Sequence, residues 1–443
     1  MRQWWRDLNS RAYFVPVLYS TLGFFIALSF MYVDILYTER LQFLPDFIFT
    51  SPALADSIFS ALVGALLTMI TVSFSTIMVV LTLYSGQFTP RITRDFLEGR
   101  VPLRVLGLFM ASFIYSIVSL YSLDKTEAGQ MLLSPFMGVL LAIACLGFFG
   151  YFIHHVARSV QINYIIDRIA NGISRAVEND IAEIENSDHL LRYLEERPED
   201  LSDDPVTEIP IGQPGFVKHI DYDALVELAR QNGLMFDLRM RLGEYLEEDD
   251  TAVAVHVYSD GDSAAESLED DVQAAISCGA ERDTARDVEF GIIKLVEVAL
   301  RAISPGINDP NTAIYCISKL GPILRRIGRE LENLYYYDED SVVRLHVQNI
   351  RFRDLLYSTY YQLRTYGQHD ISVLAEMLDS VAEIADGDRR VAPSVLWDVA
   401  EYMLSGIDSN DLPQMDRRYL NGKIRDLARS LRVDPSELLL KSS

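Results

Sequence analysis

The chain has 443 residues and a formal net charge of −24 at pH 7. The charge is unevenly distributed, because residues 1–160 contain 10 basic and 9 acidic residues whereas residues 161–443 contain 29 and 54. An acidic surface repels nucleic acid and anionic lipid headgroups and concentrates cations in its vicinity. The composition therefore argues against a nucleic-acid partner, and we expect none.

The three cysteines are isolated in sequence. Cys145, Cys278 and Cys316 have no CxxC or Cys/His ligand spacing around them. This pattern argues against a disulfide framework or a structural zinc site and is typical of a reducing compartment. We predict no metal site, and the sequence leaves any cofactor unknown.

Four apolar stretches are long enough to cross a bilayer, since a spanning helix needs about 20 mostly apolar residues. They are Tyr13–Tyr32, Leu54–Leu83, Leu103–Leu123 and Leu132–Ile153. None of them carries an ionisable residue near its middle, which disfavours a proton relay through the membrane. The sequence predicts a four-helix transmembrane domain over residues 1–155, with the lipid bilayer as its partner.

Basic residues are concentrated in alternate connections between these spans. They are Arg2, Arg6 and Arg11 before the first span, Arg91, Arg94, Arg100 and Arg104 after the second, and Arg158 and Arg168 after the fourth. The remaining two loops hold only Arg40 and Lys125. Because short cytoplasmic loops carry an excess of Lys and Arg, this pattern predicts a multi-pass protein of the bacterial inner membrane with both termini cytoplasmic.

The second span carries a stripe of small and hydroxylated residues. Its members are Ala61, Gly64, Thr68, Thr71, Ser75, Thr82 and Gly86. At 100° per residue they fall within roughly 80° of one helix face. Such a face favours close packing against another helix, and it can also line a wetted path where several copies surround an axis. The sequence leaves both interpretations open, a helix-packing stripe or a pore.

The remainder of the chain is predicted to be a cytoplasmic α+β domain. Apolar residues from Val156 to Ile184 recur at helical spacing, which predicts that the fourth span continues as a stalk helix, followed by a linker, over residues 156–204. Residues 205–260 show strand patterning and form a small β-rich module. Residues 261–443 are mostly helical, beginning with a helix over Ala264–Cys278, and form a helical cytoplasmic domain.

One segment, Arg282–Ala313, has an unusually dense set of polar signals and reads RDTARDVEFGIIKLVEVALRAISPGINDPNTA. Glu297 and Arg301 are four residues apart and can pair along a helix. The helix is predicted to stop at Ser304-Pro305-Gly306. A second helix is predicted to begin at Asp309-Pro310, with Asp as the N-cap and Pro at the first helical position.

This segment also admits two interpretations. In the first, it is a sharp helix–turn–helix corner held by its polar side chains. In the second, the new helix N-terminus near Thr312 holds an anion or a metal-bound small ligand. The candidate ligand-binding residues are Asp287, Glu297, Arg301, Ser304, Asn308, Asp309 and Thr312.

Together with Phe74–Ile92 (FSTIMVVLTLYSGQFTPRI), this segment resembles a bacterial family of predicted membrane proteins catalogued as domain of unknown function 2254. The resemblance covers essentially the whole chain, with its features in the same order. The matching positions are Arg282, Asp287, Phe290, Gly291, Leu295, Val296, Glu297, Arg301, Ala302, Ser304, Pro305, Asn308, Asp309 and Pro310. Glu297 departs from the family pattern, where Asp is expected, but the charge is kept. The resemblance implies an architecture and no activity.

Catalytic signatures are absent from the sequence. It contains no Gly-rich phosphate loop, no HExxH or GxSxG motif and no kinase motif set, so we predict no catalytic residues and disfavour an enzyme. The leading hypothesis is a homo-oligomeric, channel-like or transport protein for small ions, with a regulatory cytoplasmic domain. The alternative is a membrane-anchored sensor or scaffold that binds a small ligand or partner through its cytoplasmic helices.

Overall fold

Most of the chain is described by a computed structural model. The described residues are 14–36, 45–87, 100–123, 131–186, 191–192, 205–257, 268–282, 286–328, 333–386, 391–408 and 411–440. Internal contacts divide the chain into two units, residues 1–164 and residues 165–443.

The first unit contains four long apolar helices, as predicted. They are α1 (Phe14–Leu36), α2 (Pro52–Gln87), α3 (Arg100–Ser122) and α4 (Ser134–Ser159). Each has the length and hydropathy of a membrane-spanning helix. Large apolar side chains point outward, including Leu146, which is 68% exposed. In water this exposure would be unfavourable, but in lipid it costs nothing because the surroundings are as apolar as the side chain.

Small residues bring α1 and α3 together. A Cβ added at Gly23 would lie 2.4 Å from the carbonyl oxygen of Ala111, and one at Gly107 would lie 3.2 Å from the Tyr19 ring. Close backbone approach of this kind is the usual way in which helices associate in membranes, where apolar burial supplies no net driving force.

Two polar residues bind the beginning of α4. Asp34 on α1 accepts hydrogen bonds from the backbone N–H groups of Leu133 (2.7 Å) and Ser134 (3.3 Å). Tyr115 on α3 donates to the Ser134 carbonyl oxygen (2.8 Å). Because the first N–H groups of a helix lack intrahelical partners, Asp34 acts as a cap supplied by a different helix.

The second unit is a mixed α+β fold, as the sequence predicts. Its helices are α5 (Ile162–Asn186, which begins just before the boundary of the unit), α6 (Tyr222–Gln231), α7 (Glu269–Ala274), α8 (Val288–Ala302), α9 (Pro310–Ile327), α10 (Phe352–Gly367), α11 (Ile371–Ala385), α12 (Pro393–Leu404) and α13 (Gln414–Leu431). Its strands are β1 (Leu191–Arg192), β2 (Thr207–Pro210), β3 (Gly215–Ile220), β4 (Leu234–Leu238), β5 (Tyr245–Leu246), β6 (Thr251–Val257), β7 (Ile276–Gly279), β8 (Asn333–Tyr337) and β9 (Val343–Gln348).

The strands form two sheets that cross the predicted module boundary at residue 260. One sheet has the order β1-β8-β9-β4-β6-β2 and the other has the order β5-β3-β7. The pair β4–β9 is parallel, with Phe236 opposite Leu345. Strands β7, β8 and β9, which follow residue 260, thus complete sheets begun before it. Local sequence patterning does not show which strands pair, because pairing depends on side-chain packing between distant segments.

The helix predicted over Ala264–Cys278 is a further difference. The structure has only the short helix α7 and then β7, which pairs antiparallel with β3 through Phe216 opposite Gly279 and Ile220 opposite Ile276. The first residues of the predicted helix lie outside the described part of the chain. The conformation of this segment is set by pairing with β3, a distant strand. The local pattern of apolar residues does not indicate such pairing.

The predicted stalk helix is not continuous with the fourth span, because α4 ends at Ser159 and α5 begins at Ile162. The Ser159 hydroxyl donates to the carbonyl oxygen of Val156 (2.8 Å). Such side-chain bonds give the backbone an alternative to the regular helical ladder. The linker predicted before residue 205 lies outside the described residues, apart from β1.

Helix α5 is fixed to α9 within the second unit at two places. The Tyr315 hydroxyl donates to Asp167 (2.7 Å), which also pairs with Lys319 (2.9 Å). Arg326 donates to Glu178 (2.7 Å) further along α5. The Lys319 ammonium and the Tyr315 hydroxyl hold the pKa of Asp167 below its ordinary value. These contacts hold one side of α5 against α9.

Candidate functional site

The predicted stripe on the second span lies on an exposed face of α2. Gly64, Thr68, Thr71, Ser75 and Thr82 are all exposed. A Cβ added at Gly64 would meet no atom within 4 Å. The last stripe residue, Gly86, belongs to the same helix, but its exposure is outside what the structure describes.

The opposite face of α2 packs within the first unit. The buried residues of this face are Ala55, Phe59, Leu66, Ser73 and Val80. At 100° per residue they are about half a turn away from the stripe. Among the described helices of the first unit, none covers the stripe, so it is not used for packing between these helices.

The threonine hydroxyls of the stripe bond to their own helix. Thr68 donates to the carbonyl oxygen of Gly64, and Thr82 donates to that of Met78, each at 2.9 Å. Because these hydroxyl protons have partners, the helix can hold them in apolar surroundings without an unsatisfied donor. The hydroxyl oxygens keep acceptor capacity on the exposed face.

The dense polar segment does not form one cluster. Asp287 is the N-cap of α8 and accepts from the Phe290 N–H (2.9 Å), while Asp309 is the N-cap of α9. The two caps lie at opposite ends of α8, about 20 Å apart at 1.5 Å rise per residue. The seven candidate ligand-binding residues are therefore divided between two places, with Asp287 alone at the first.

The corner between α8 and α9 uses its polar groups locally. Asp309 accepts from the N–H (3.2 Å) and the hydroxyl (2.6 Å) of Thr312, and its own N–H donates to Ala302 (2.8 Å). Ser304 donates to the Arg301 carbonyl oxygen (2.7 Å). Asn308 has φ of 52°, a left-handed conformation that Asn tolerates better than most residues. These bonds account for the corner as a structural element.

The other two candidates lie on the last turns of α8. Arg301 is exposed and Glu297 is half-buried one turn earlier. Their pairing stays a prediction, and so does a ligand-binding role for the corner.

At the other end of α8, Arg282 binds two carboxylates. Its guanidinium contacts Asp287 (2.6 Å) and Glu289 (3.4 Å), and it lies 4.9 Å from the centre of the Phe290 ring. Burial alone would lower the pKa of Arg282, but the two carboxylates hold the pKa above its ordinary value. Arg282 thus compensates the charge of the carboxylates at the beginning of α8.

A cavity of about 330 Å³ opens beside this end of α8. Its walls come from α5, β3, α6, α8, α9, β8 and α10 and from the segments between them. The lining is mostly apolar and aromatic, with a few polar residues, among them Asn179, Asp180, His219, Arg286, Glu289 and Asn349. The sequence did not reveal this cavity, because residues from seven separate elements line it and no local pattern connects them.

The cavity has an aromatic wall. The rings of Tyr222 on α6 and Tyr336 on β8 are stacked, with centroids 5.4 Å apart and an interplanar angle of 22°. Phe352, at the beginning of α10, adds a third ring to the lining. Flat apolar groups pack well against such surfaces.

The cation at the cavity mouth is Arg286, which donates through Nη1 to Nδ1 of His219. Because arginine is only a donor, this contact uses the lone pair of Nδ1. Within the described part of the chain, Arg286 makes no ion pair with a carboxylate, unlike its neighbour Arg282.

Metal and thiol chemistry receive no support from the described residues. No group of three or more His, Cys, Asp or Glu side chains within them is placed to hold a metal ion. Burial raises the pKa of the Cys316 thiol to about 12, which keeps it protonated and unreactive.

The arrangement of four apolar helices followed by a mixed α+β unit agrees with a known family. A family described as a predicted membrane protein, DUF2254, matches residues 9–383. The chain belongs to the DUF2254 family. The resemblance found in the sequence is thereby confirmed, and this member of DUF2254 is a membrane protein with four apolar helices.

Curated relatives of this DUF2254 member are uncharacterised proteins. One from Mycobacterium bovis and one from Mycobacterium tuberculosis are each 26% identical to the chain over 357 residues, which is 77% of this chain and 66% of theirs. The chain thus spans just under two thirds of the length of these relatives. No solved structure matches it.

Proposed function

We propose that this DUF2254 member is a homo-oligomeric, channel-like protein of the bacterial inner membrane that conducts small ions, with its α2 helices around the path. The observation that supports it is the position of the small, hydroxylated stripe. One face of α2 is buried in its own unit, and the stripe lies exposed on the opposite face. A polar face that one chain leaves uncovered in the membrane fits contact with further copies or with water.

The spacing of the stripe supports contact between copies. From Ala61 through Gly64, Thr68, Thr71 and Ser75 the steps alternate between three and four residues. Alternating steps of three and four are the signature of helices that pack side chain into groove in left-handed bundles, including those in membranes. Small residues on such a face allow close approach of the backbones.

The chemistry of the same face suits ions better than protons or apolar substrates. It presents hydroxyl oxygens and has no ionisable side chain near its middle that could relay a proton.

The positive-inside pattern of the loops supports cytoplasmic termini. The acidic residues 161–443 would then concentrate cations at the inner mouth, so we propose cations as the main permeant species.

Cysteine crosslinking in native membranes tests the oligomer. Thr68→Cys places a thiol at the middle of the stripe, and we expect a covalent dimer after mild oxidation. Leu146→Cys is the matched control, because Leu146 is also exposed and mid-span but lies on α4. Equal crosslinking of both variants, or none at Thr68→Cys, would contradict the proposal.

Planar-bilayer recording tests conduction by the full chain. We expect cation-selective currents from the wild type, and currents at least tenfold smaller from Thr71→Phe, which fills the axis. Leu146→Phe should leave the currents unchanged. Absence of current under every ion gradient would overturn the channel function, whatever the crosslinking shows.

A second candidate function is a membrane-anchored sensor, and the cavity beside α8 is the observation that favours it. A cavity with apolar walls and a few polar groups is the usual form of a small-molecule site. In this case ligand binding should be measurable while the bilayer recordings show no current.

A further inference from the structure

We infer that the cavity beside α8 binds a small aromatic monoanion, a flat apolar molecule with one carboxylate or similar acid group. This site is separate from the stripe on α2, and the inference does not depend on ion conduction.

The size and walls of the cavity define the apolar part of the ligand. Its volume of about 330 Å³ lies at the lower end of the range of roughly 300–1,000 Å³ that is common for small-molecule sites. The stacked pair Tyr222–Tyr336 and the ring of Phe352 provide aromatic surface. Val288 and Ile350 contribute aliphatic surface. A two-ring aromatic body fits both the volume and the stacking surface.

The charge of the ligand follows from Arg286. Its Nη1 donates to His219, and Nη2 and Nε have no partner among the described residues, so both can donate to a ligand. The nearby carboxylates of Asp287 and Glu289 are held by Arg282 instead. A guanidinium that no described carboxylate neutralises, at the mouth of an apolar cavity, is suited to bind an acid group through two parallel hydrogen bonds.

Asp180 also lines the cavity and would attract a cationic ligand. An acid is favoured over an amine because His219 is the only described partner of Arg286, which leaves two donor nitrogens of the guanidinium for an acid group. The charge preference is therefore measured directly, with three probes of the same shape.

The experiment is calorimetric titration of the full chain in lipid nanodiscs with naphthoate, naphthalenemethanol and naphthylmethylamine, with empty nanodiscs subtracted. We expect naphthoate to bind about tenfold more tightly than the alcohol, which corresponds to about 1.4 kcal/mol. The amine should bind most weakly. No binding of any probe, equal affinity for acid and alcohol, or tighter binding of the amine would each overturn the inference.

Variants locate the binding. Arg286→Gln should weaken naphthoate binding about tenfold and leave the affinity for the alcohol unchanged. Arg418→Gln is the matched control, an exposed arginine on α13 that does not line the cavity, and it should bind like the wild type. Val288→Phe, which fills the cavity, should abolish binding of both probes. Unchanged naphthoate affinity in Arg286→Gln and Val288→Phe would show that the probe binds elsewhere.

Discussion

The two units satisfy their polar groups in different ways. In the first unit, the hydroxyls of α2 donate to carbonyl oxygens four residues earlier on the same helix, as Thr68 does to Gly64. In the second unit, charged groups meet across long sequence separations, as Arg326 and Glu178 do, 148 residues apart. A polar group in lipid has no water to bond, so it bonds within its own helix or, as Asp34 and Tyr115 do, to a neighbouring helix. The exposed charges of the second unit pair through tertiary contacts.

Large apolar side chains also differ between the two units, in how far they are exposed. Leu67, Phe74 and Ile143 in the first unit are more than half exposed, whereas Leu345 and Leu378 in the second are buried. The same residue types thus lie outside in one unit and inside in the other. The exposure of an apolar side chain therefore has to be interpreted together with its surroundings. An exposed Leu is ordinary in lipid, whereas in water it indicates an interface. It is the polar, exposed face of α2 that is unusual in the first unit.

The largest stability loss is expected where the second unit buries an ion pair. The Asp338 side chain is fully buried beside Arg344, which is 12% exposed. Asp338→Asn leaves the guanidinium buried without its counter-charge, which should reduce the free energy of unfolding by about 3–5 kcal/mol. Asp398→Asn breaks the exposed pair with Arg353 and should cost less than about 1 kcal/mol. Thermal unfolding of the full chain, followed by circular dichroism, measures both, and equal losses would contradict the argument.

The same pair predicts a pH dependence. Burial alone would raise the pKa of Asp338, but Arg344 and the N–H groups of Val342 and Asp340 hold the pKa below its ordinary value. Its contribution to stability is therefore fully present above the unfolded pKa of about 3.9 and is lost as the pH falls through the lower folded pKa. The difference between wild type and Asp338→Asn should shrink below about pH 4. A difference that stays constant down to acid pH would exclude this linkage.

Two glycines test packing in the first unit. Gly23→Ala places a methyl group against the backbone of Ala111 and should cost about 1–3 kcal/mol, as overpacking does. The methyl group added in Gly64→Ala would lie in open space in the single chain. The free energy of unfolding should therefore stay the same or rise by up to about 1 kcal/mol. Unfolding in mixed detergent micelles compares the two. A large loss in Gly64→Ala would indicate that another copy packs closely against the stripe at this position.

The corner between α8 and α9 gives an intermediate effect. Asp309→Ala removes the N-cap of α9 and should cost about 0.5–2 kcal/mol. If the corner is only structural, naphthoate binding and ion currents stay at wild-type levels. Asp370→Ala removes the equivalent cap of α11 and is the control for capping alone. A loss of ligand binding in Asp309→Ala, and not in Asp370→Ala, would instead assign the corner to a site.

The smallest effect is expected at the exposed contact between α5 and α9. Asp167→Asn removes the ion pair with Lys319. The Lys319 and Asp167 side chains are 32% and 42% exposed, so the free energy of unfolding should fall by less than about 1 kcal/mol. High salt should reduce this cost further, since exposed charges are screened. Unfolding at low and high salt measures it, with Asp338→Asn as the salt-insensitive reference. A salt-independent loss at Asp167 would show that the hydrogen bond from Tyr315 is the main contribution.

Much of the helical structure could be predicted from the sequence. Residues 261–443 are mostly helical, as predicted, and α11 and α12 begin at local start signals, the N-cap Asp370 and Pro393. Asp309-Pro310 likewise begins α9 as predicted. These features depend on residues within one or two turns of each other, so the local sequence contains the information needed.

The candidate site could be predicted only in part. The stripe on α2 was visible because it lies on one helix, but its exposure depends on where α3 and α4 pack, which periodicity does not specify. The cavity was not visible at all, since His219, Arg286 and Tyr336 come from three segments far apart in the chain. Sheet pairing had the same limit, because β7 was predicted as part of a helix.

By itself, then, the sequence determined the four membrane helices, the small-residue face of α2, the acidic second part and the start of α9, because each depends on hydropathy or on neighbours in the chain. Only the tertiary structure decided that the stripe faces outward, that β7 to β9 complete sheets begun earlier, and that Arg286 lies at the mouth of an aromatic cavity. The physical reason is that these features arise from contacts between distant segments, whose free energy no local pattern contains.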